Sequence, residues 1–161
     1  MRIATPFGTA SIAADDSGAL TEFSFSELKS GDGREYPEIA RQIEDFFSGR
    51  RRSFDFRLAP RGTDFQKRVW AELARIPFGE TISYGTLARR IGTPSASRAV
   101  GRANATNPIA VIVPCHRVIG ANGTLTGYAG GLDLKRKLLE WEQAEAGRAP
   151  LLAGLISGFP N

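Results

Sequence analysis

The sequence predicts an α/β N-terminal domain, a small sheet plus a helix, followed by a mainly α C-terminal domain with a helix-turn-helix, winged-helix-like in type. Three observations predict it. Short apolar runs separated by turn residues fill positions 3–25. Apolar residues at helical spacing follow, from Ile39 to Phe47. Two short helical patterns then flank Gly92-Thr93-Pro94. A chain of 161 residues, 42% hydrophobic and 24% charged, can bury a core. That composition excludes whole-chain disorder, collagen-like repeats and a disulfide scaffold.

Taken in order, Ile3–Thr5, Ala10–Ala14 and Leu20–Phe25 are strand candidates, parted by Pro-Phe-Gly-Thr and Asp-Asp-Ser-Gly turns. Ser26–Glu35 reads as a polar loop. Pro37 suits a first helical turn, Ile39, Ile43, Phe46 and Phe47 form its apolar stripe, and Gly49 ends it. Phe54-Asp55-Phe56 alternates as a strand does. The N-terminal domain is therefore placed at 1–58, with Ala59-Pro60-Arg61-Gly62 as a linker. Thr63 with Gln66 makes a capping box for a helix whose stripe is Phe65, Val69, Leu73 and Ile76, with Trp70 beside it as core. Ser83 caps a helix through Ile91, and a second helix runs from about Ser95 to Ala105. That second helix is expected to expose Ser97, Arg98, Gly101, Arg102 and Asn104, small enough to press close to a nucleic-acid groove. Ile109–Val113 reads as a buried strand or extended segment stopped by Pro114. The Gly-rich stretch 120–131 reads as a shaped loop, and Asp133 opens a last helix with Leu134, Leu138, Leu139 and Trp141 as its apolar side. The C-terminal domain spans 63–146, and 147–161 is a tail.

Charge is unevenly placed. Residues 1–63 carry 9 basic and 10 acidic side chains, whereas residues 64–142 carry 11 and 6. No Asp or Glu occurs from Thr81 to Leu132, where Arg89, Arg90, Arg98, Arg102 and Arg117 sit. Such a stretch suits a surface facing a polyanion such as nucleic acid. The longest apolar run, Ile109–Val113, is too short to span a bilayer, and Met1–Pro6 lacks the apolar stretch of a signal peptide. A cytoplasmic protein with no membrane partner is expected.

The chain has one cysteine, Cys115, followed at once by its one histidine, His116. One of each supplies neither a disulfide nor a four-ligand zinc site. A thiol beside an imidazole and the Arg117 guanidinium is expected to ionise more easily than a free thiol. Adjacent residues on extended chain point apart, so His116 would reach the sulfur through a turn or a water.

Pro114-Cys115-His116-Arg117-Val118-Ile119-Gly120 resembles the active-site segment of the O6-alkylguanine-DNA alkyltransferases, the methylated-DNA–protein-cysteine methyltransferase family. Gly62–Trp70, Ile76–Gly85, Ser97–Gly101, Asn107-Pro108 and Thr126–Leu132 resemble further family segments in family order. The likeness spans about residues 62–142, and more loosely 1–58.

The resemblance implies direct-reversal DNA repair by a single-use enzyme. It would flip O6-alkylguanine, with O4-alkylthymine a second candidate, out of duplex DNA and transfer the alkyl group irreversibly to Cys115. In that scheme His116 takes the thiol proton through a water and Glu142 orients His116. Tyr84 serves the departing base, and Asn107 tethers the turn before the active-site segment. Arg98 fills the gap left by the base, while Ser97, Ala99, Gly101, Arg102, Thr81 and Tyr84 contact DNA. Val118, Tyr128, Ala129, Gly130 and Gly131 wall the base pocket. The partner is double-stranded DNA containing alkylated guanine, the protein acts as a monomer, and no metal or cofactor is expected. Zinc ligands held by some relatives are missing, and Ala129 stands where some carry a hydroxyl. The alternative is a non-catalytic module that recognises alkylated bases and recruits other factors; the presence of Cys115 argues against it. A cysteine hydrolase fits the basic surface poorly, and no Gly-x-Gly loop for S-adenosylmethionine follows a strand.

Overall fold

The computed structural model describes residues 1–28 and 33–147. Residues 29–32 of the expected polar loop, and the tail from 148 onward, lie outside the described residues. The chain opens with an antiparallel sheet of β1 (Arg2–Thr5), β2 (Gly8–Ala14) and β3 (Leu20–Ser24), in that order. Thr5 Oγ1 donates to the Gly8 carbonyl at 2.6 Å and fixes the first turn. Asp15 Oδ1 accepts from the Ser17 and Ala19 amides at 2.9 and 3.1 Å and fixes the second, as Asx side chains do in turns. The sheet buries Ile3, Ala10, Ile12, Leu20 and Phe23 against α1 (Pro37–Phe47), whose Ile39, Ile43, Phe46 and Phe47 are buried as the spacing predicts.

The strand expected at Phe54-Asp55-Phe56 does not form. The Asp55 amide donates to Gln42 Oε1 at 2.9 Å, a side chain rather than a ladder. Just after it, Leu58 makes an isolated bridge to the sheet at Leu20. The linker is packed as well: the Ala59 amide donates to the Leu20 carbonyl at 2.8 Å. A Cβ on Gly62 would lie 2.5 Å from the Trp70 ring, so glycine permits the close approach.

The second half begins with α2 (Asp64–Leu73), started by the Thr63–Gln66 capping box. Trp70 is core, its Nε1–H donating to the Ala103 carbonyl at 2.8 Å. Then come β4 (Ile82–Ser83), α3 (Tyr84–Arg90) capped by Ser83, and α4 (Ser97–Ala105). A 3-10 turn at Cys115–Arg117 leads into β5 (Val118–Ile119), which pairs in parallel with β4, and α5 (Leu132–Glu145) follows. Helices α3 and α4 form the helix-turn-helix.

Ile109–Val113 is buried as expected but is not a strand. Once Phe23 has paired with Pro108 and Ala110, the chain turns back, and the Val113 amide donates to the Ile109 carbonyl at 3.0 Å. Val111 sits at φ 67, a conformation that costs a β-branched residue about 1–3 kcal/mol. Both halves share one core: the Phe46 ring on α1 lies 5.3 Å from Trp141 on α5 and 5.7 Å from Phe78. No helix among the described residues is long and apolar enough to cross a membrane.

Candidate active site

Asn107 organises the turn that delivers Cys115. Its Nδ2 donates to the Val113 carbonyl at 2.7 Å, and its Oδ1 accepts the Ile109 amide at 3.0 Å. It also lies close enough to Cys115, which is buried, to favour the thiolate. Cys115 and His116 are consecutive residues of the 3-10 turn rather than of extended chain, and both are buried. Burial pushes the Cys115 thiol above its usual range, and Asn107 and the Lys135 ammonium offset this only in part. The easily ionised thiol expected from the sequence is therefore not what the resting site holds.

Behind Cys115, His116 Nε2 lies 2.7 Å from Glu142 Oε1, both groups fully buried. Arg117 donates from Nε to Glu142 Oε2 and from Nη2 to Oε1, each at 2.8 Å, and from Nη1 to the Ile76 carbonyl at 2.7 Å. Burial alone would raise the Glu142 carboxyl, but His116 and Arg117 outweigh it and hold the group at about 2. Burial pushes His116 down, Glu142 pulls it partly back, and Arg117 opposes that pull. The charge state that follows is ionised Glu142 and neutral His116, because the guanidinium stays charged whatever the imidazole does. A carboxylate at Nε2 puts the ring proton there. The free lone pair is then on Nδ1, which has no hydrogen-bond partner.

Cys115 and Asn107 open into a cavity of about 220 Å³ walled by Tyr128, Ala129 and Gly130 on one side and by Phe23 and Phe25 on the other. An open groove lies next to it, lined by Tyr84, Ser97, Arg98, Gly101 and Arg102, and shares Ala105 and Gly127 with the cavity. Arg98 and Arg102 are exposed there. Tyr84 donates to the Thr126 carbonyl at 3.0 Å; burial pushes its hydroxyl pKa up, and that hydrogen bond pulls it down.

A buried thiol in a cavity beside a helix-turn-helix groove is the arrangement the resemblance implies. The model of the 6-O-methylguanine DNA methyltransferase DNA-binding domain matches residues 64–144. The chain belongs to this family. The methylated-DNA–protein-cysteine methyltransferase of Methanosarcina acetivorans is 63% identical over 107 residues, 66% of this chain and 69% of that protein. That of Mycobacterium tuberculosis is 60% identical over 105 residues, 65% of this chain and 64% of that protein. Crystallised M. tuberculosis OGT in complex with DNA aligns over 96% of this chain and 97% of its own, at 46% identity and a TM-score of 0.82. The Pyrococcus kodakaraensis O6-methylguanine-DNA methyltransferase, at 23% identity and a TM-score of 0.53, shares the fold.

Within this member of the methyltransferase family, some expected site residues fall elsewhere. Val118 is fully buried in the core and does not line the cavity; its carbonyl accepts from Lys135. Gly131 is exposed at the N-cap of α5, with φ 92, outside the cavity wall. Ala99 and Thr81 are half-buried and do not line the groove. Arg117, counted above with the polyanion-facing arginines, is 7% exposed and committed to Glu142. Asn104, expected on the exposed face of α4, is 1% exposed.

Two features went unseen in the sequence. Lys135 is fully buried, its Nζ donating to the Val118 and Thr126 carbonyls at 2.6 and 2.8 Å, and burial lowers it to about 8. Spacing held the signal, since Lys135, Leu138, Leu139 and Glu142 share one face of α5. The contribution of Phe23 and Phe25 to the cavity carries no local signal, because it arises from contact between distant segments.

Proposed function

We propose that this protein repairs DNA directly by moving an alkyl group from O6 of a guanine in duplex DNA to the sulfur of Cys115. The observation that carries the reading is the Cys115 thiol opening into the cavity with the ionised Glu142–neutral His116 pair behind it. The names of the methylated-DNA–protein-cysteine methyltransferases and the DNA complex of the M. tuberculosis protein support it.

The chemistry follows from the charge states. The resting thiol must lose its proton as it reacts, and the acceptor is His116 Nδ1, through a water. The sulfur electron pair forms a bond to the alkyl carbon as the carbon–O6 bond breaks. The departing base takes a hydrogen bond or proton from Tyr84, which releases Thr126 to do so. Once the proton taken by His116 has passed through water to the base or to the Tyr84 oxygen, thiol and alkylguanine have become thioether and guanine with no other reactant. A thioether is a poor leaving site and the chain has no second thiol, so each molecule acts once.

Reaching Cys115 requires the base to leave the duplex, at a cost of a few kcal/mol. Arg98 on the groove is placed to occupy the vacated stack, and Ser97, Gly101 and Arg102 to track the backbone beside it. Ala99 and Thr81 would act by shaping that face rather than touching DNA. Residues 63–146 carry the DNA face and the thiol, residues 1–58 close one wall of the cavity, and the protein acts as a monomer. The test is intact mass after incubation with a duplex holding one O6-methylguanine. The protein should gain one methyl in place of hydrogen, and Cys115→Ser should gain nothing. An unchanged mass in the wild type overturns the proposal.

A further inference from the structure

A second cavity borders the turn that carries Cys115. It measures about 340 Å³ against about 220 Å³ at the thiol, and the two share no lining residue. Its walls come from both halves of the chain. Phe54 and Phe56, whose expected strand does not form, line it together with Phe46 and Phe78. Their rings run on from one another, with centroids 5.2 Å apart from Phe56 to Phe54, 5.2 Å from Phe54 to Phe46 and 5.7 Å from Phe46 to Phe78. Leu58 also lines it and is 38% exposed, one of two large hydrophobic residues left exposed among the described residues. Pro114 and Arg117, which bracket Cys115 and His116, are buried in the wall.

The cavity is cationic as well as aromatic. Arg52, Arg75 and Arg117 line it, and no Asp or Glu does. Glu142 neutralises Arg117. Arg75 reaches Glu72 only at 3.9 Å, with its side chain 78% exposed. The neighbours of Arg52, Arg50 and Arg51, pair with Asp45 and Asp55, whereas Arg52 pairs with no carboxylate among the described residues. Its guanidinium instead lies 4.9 Å over the Phe78 ring, and its Nη2 donates to the neutral Glu145 carbonyl at 2.8 Å. Concave aromatic walls with a few placed polar groups are the makings of a small-ligand site. Four phenylalanine rings favour a flat aromatic guest, and a guanidinium without a counter-charge favours a carboxylate on it.

We propose that this cavity binds a planar aromatic carboxylate, with its rings against Phe54, Phe56 and Phe78 and its carboxylate on Arg52. Binding there does not depend on alkyl transfer at Cys115. The test is isothermal titration with 2-naphthoate and with 2-naphthamide, which has the same rings and no charge. Wild type should bind 2-naphthoate saturably, at one site per chain, and about tenfold or more tighter than the amide. In Arg52→Met, which keeps an apolar stem and removes the charge, naphthoate affinity should fall to that of the amide. Leu58→Glu changes an exposed side chain and should weaken naphthoate through like charge; it serves if the methionine variant does not fold. Arg98→Ala alters the helix-turn-helix groove and should bind as wild type does. Wild type that binds no naphthoate, or binds it no better than the amide, overturns the assignment. Affinity unchanged in either Arg52→Met or Leu58→Glu overturns it too, and affinity lost in Arg98→Ala moves the anion to the groove.

Discussion

Replacing Glu142 by Gln removes one charge from a site that water does not reach, and both its consequences can be sized. Glu142 is fully buried and takes three hydrogen bonds at 2.7 to 2.8 Å, one from His116 and two from Arg117. Its carboxyl is held at about 2 against an ordinary 4.5, so the ionised group stabilises the native state at neutral pH. Removing one partner of a buried ion pair costs about 3–5 kcal/mol. For a chain of this size that is a fall in melting temperature of roughly 6–20 °C at neutral pH. A depressed carboxyl stabilises above its unfolded pKa and loses that contribution as pH falls through the folded value. The stability gap between wild type and Glu142→Gln should therefore be full above about pH 5 and close toward pH 2. The second consequence is chemical. A carboxylate fixes the proton on Nε2 and leaves Nδ1 free, whereas an amide can offer either an oxygen or a nitrogen. Loss of a positioned general base costs about 10²–10⁴-fold in rate. Single-turnover methyl transfer across pH is the assay, with duplex affinity measured in parallel. His116→Gln should slow transfer in the same way, and the double variant should be little slower than the slower single, because the groups act as a unit. An unchanged rate in Glu142→Gln, or fully additive losses, refutes the coupling of Glu142 through His116 to the thiol.

Two further outcomes follow from neighbouring groups. Lys135→Met removes the ammonium that favours the Cys115 thiolate, so the thiol pKa read from the pH dependence of iodoacetamide labelling should rise further. In the wild type that help should fade above about pH 8, where Lys135 loses its proton; an unmoved thiol pKa in the variant removes the role. Arg98→Ala should slow transfer from duplex by about tenfold or more while barely affecting a single strand, because only a duplex leaves a hole to fill. Equal losses on both substrates would take that role from Arg98.

Where the sequence was legible, a local rule was at work. The Thr63–Gln66 capping box, Pro37 at the start of α1, and the Ser83 cap each involve residues within a few positions of one another, and each appears as read. Cys115 and His116 stood out by being single and adjacent. Glu142 was reached through the family resemblance, because 26 positions of chain separate it from His116. The misreadings share a cause, which is tertiary contact overriding local pattern. An aliphatic run at 109–113 suits a strand, yet β3 claims Pro108 and Ala110 and the chain must turn. Arg117 and Asn104, placed outside by the sequence, and Lys135, for which it gave no reading, are polar residues of types usually solvated. Each is buried because a specific carboxylate or carbonyl waits for it inside.

The central claim is that Cys115 is a single-use alkyl acceptor. Its most direct measurement is methyl stoichiometry with O6-methylguanine duplex in excess, followed by peptide mapping of the modified chain. The account predicts one methyl per protein, located on Cys115, with no further transfer however long the incubation. Several methyl groups removed per protein molecule, or a methyl found on any other residue, would contradict it.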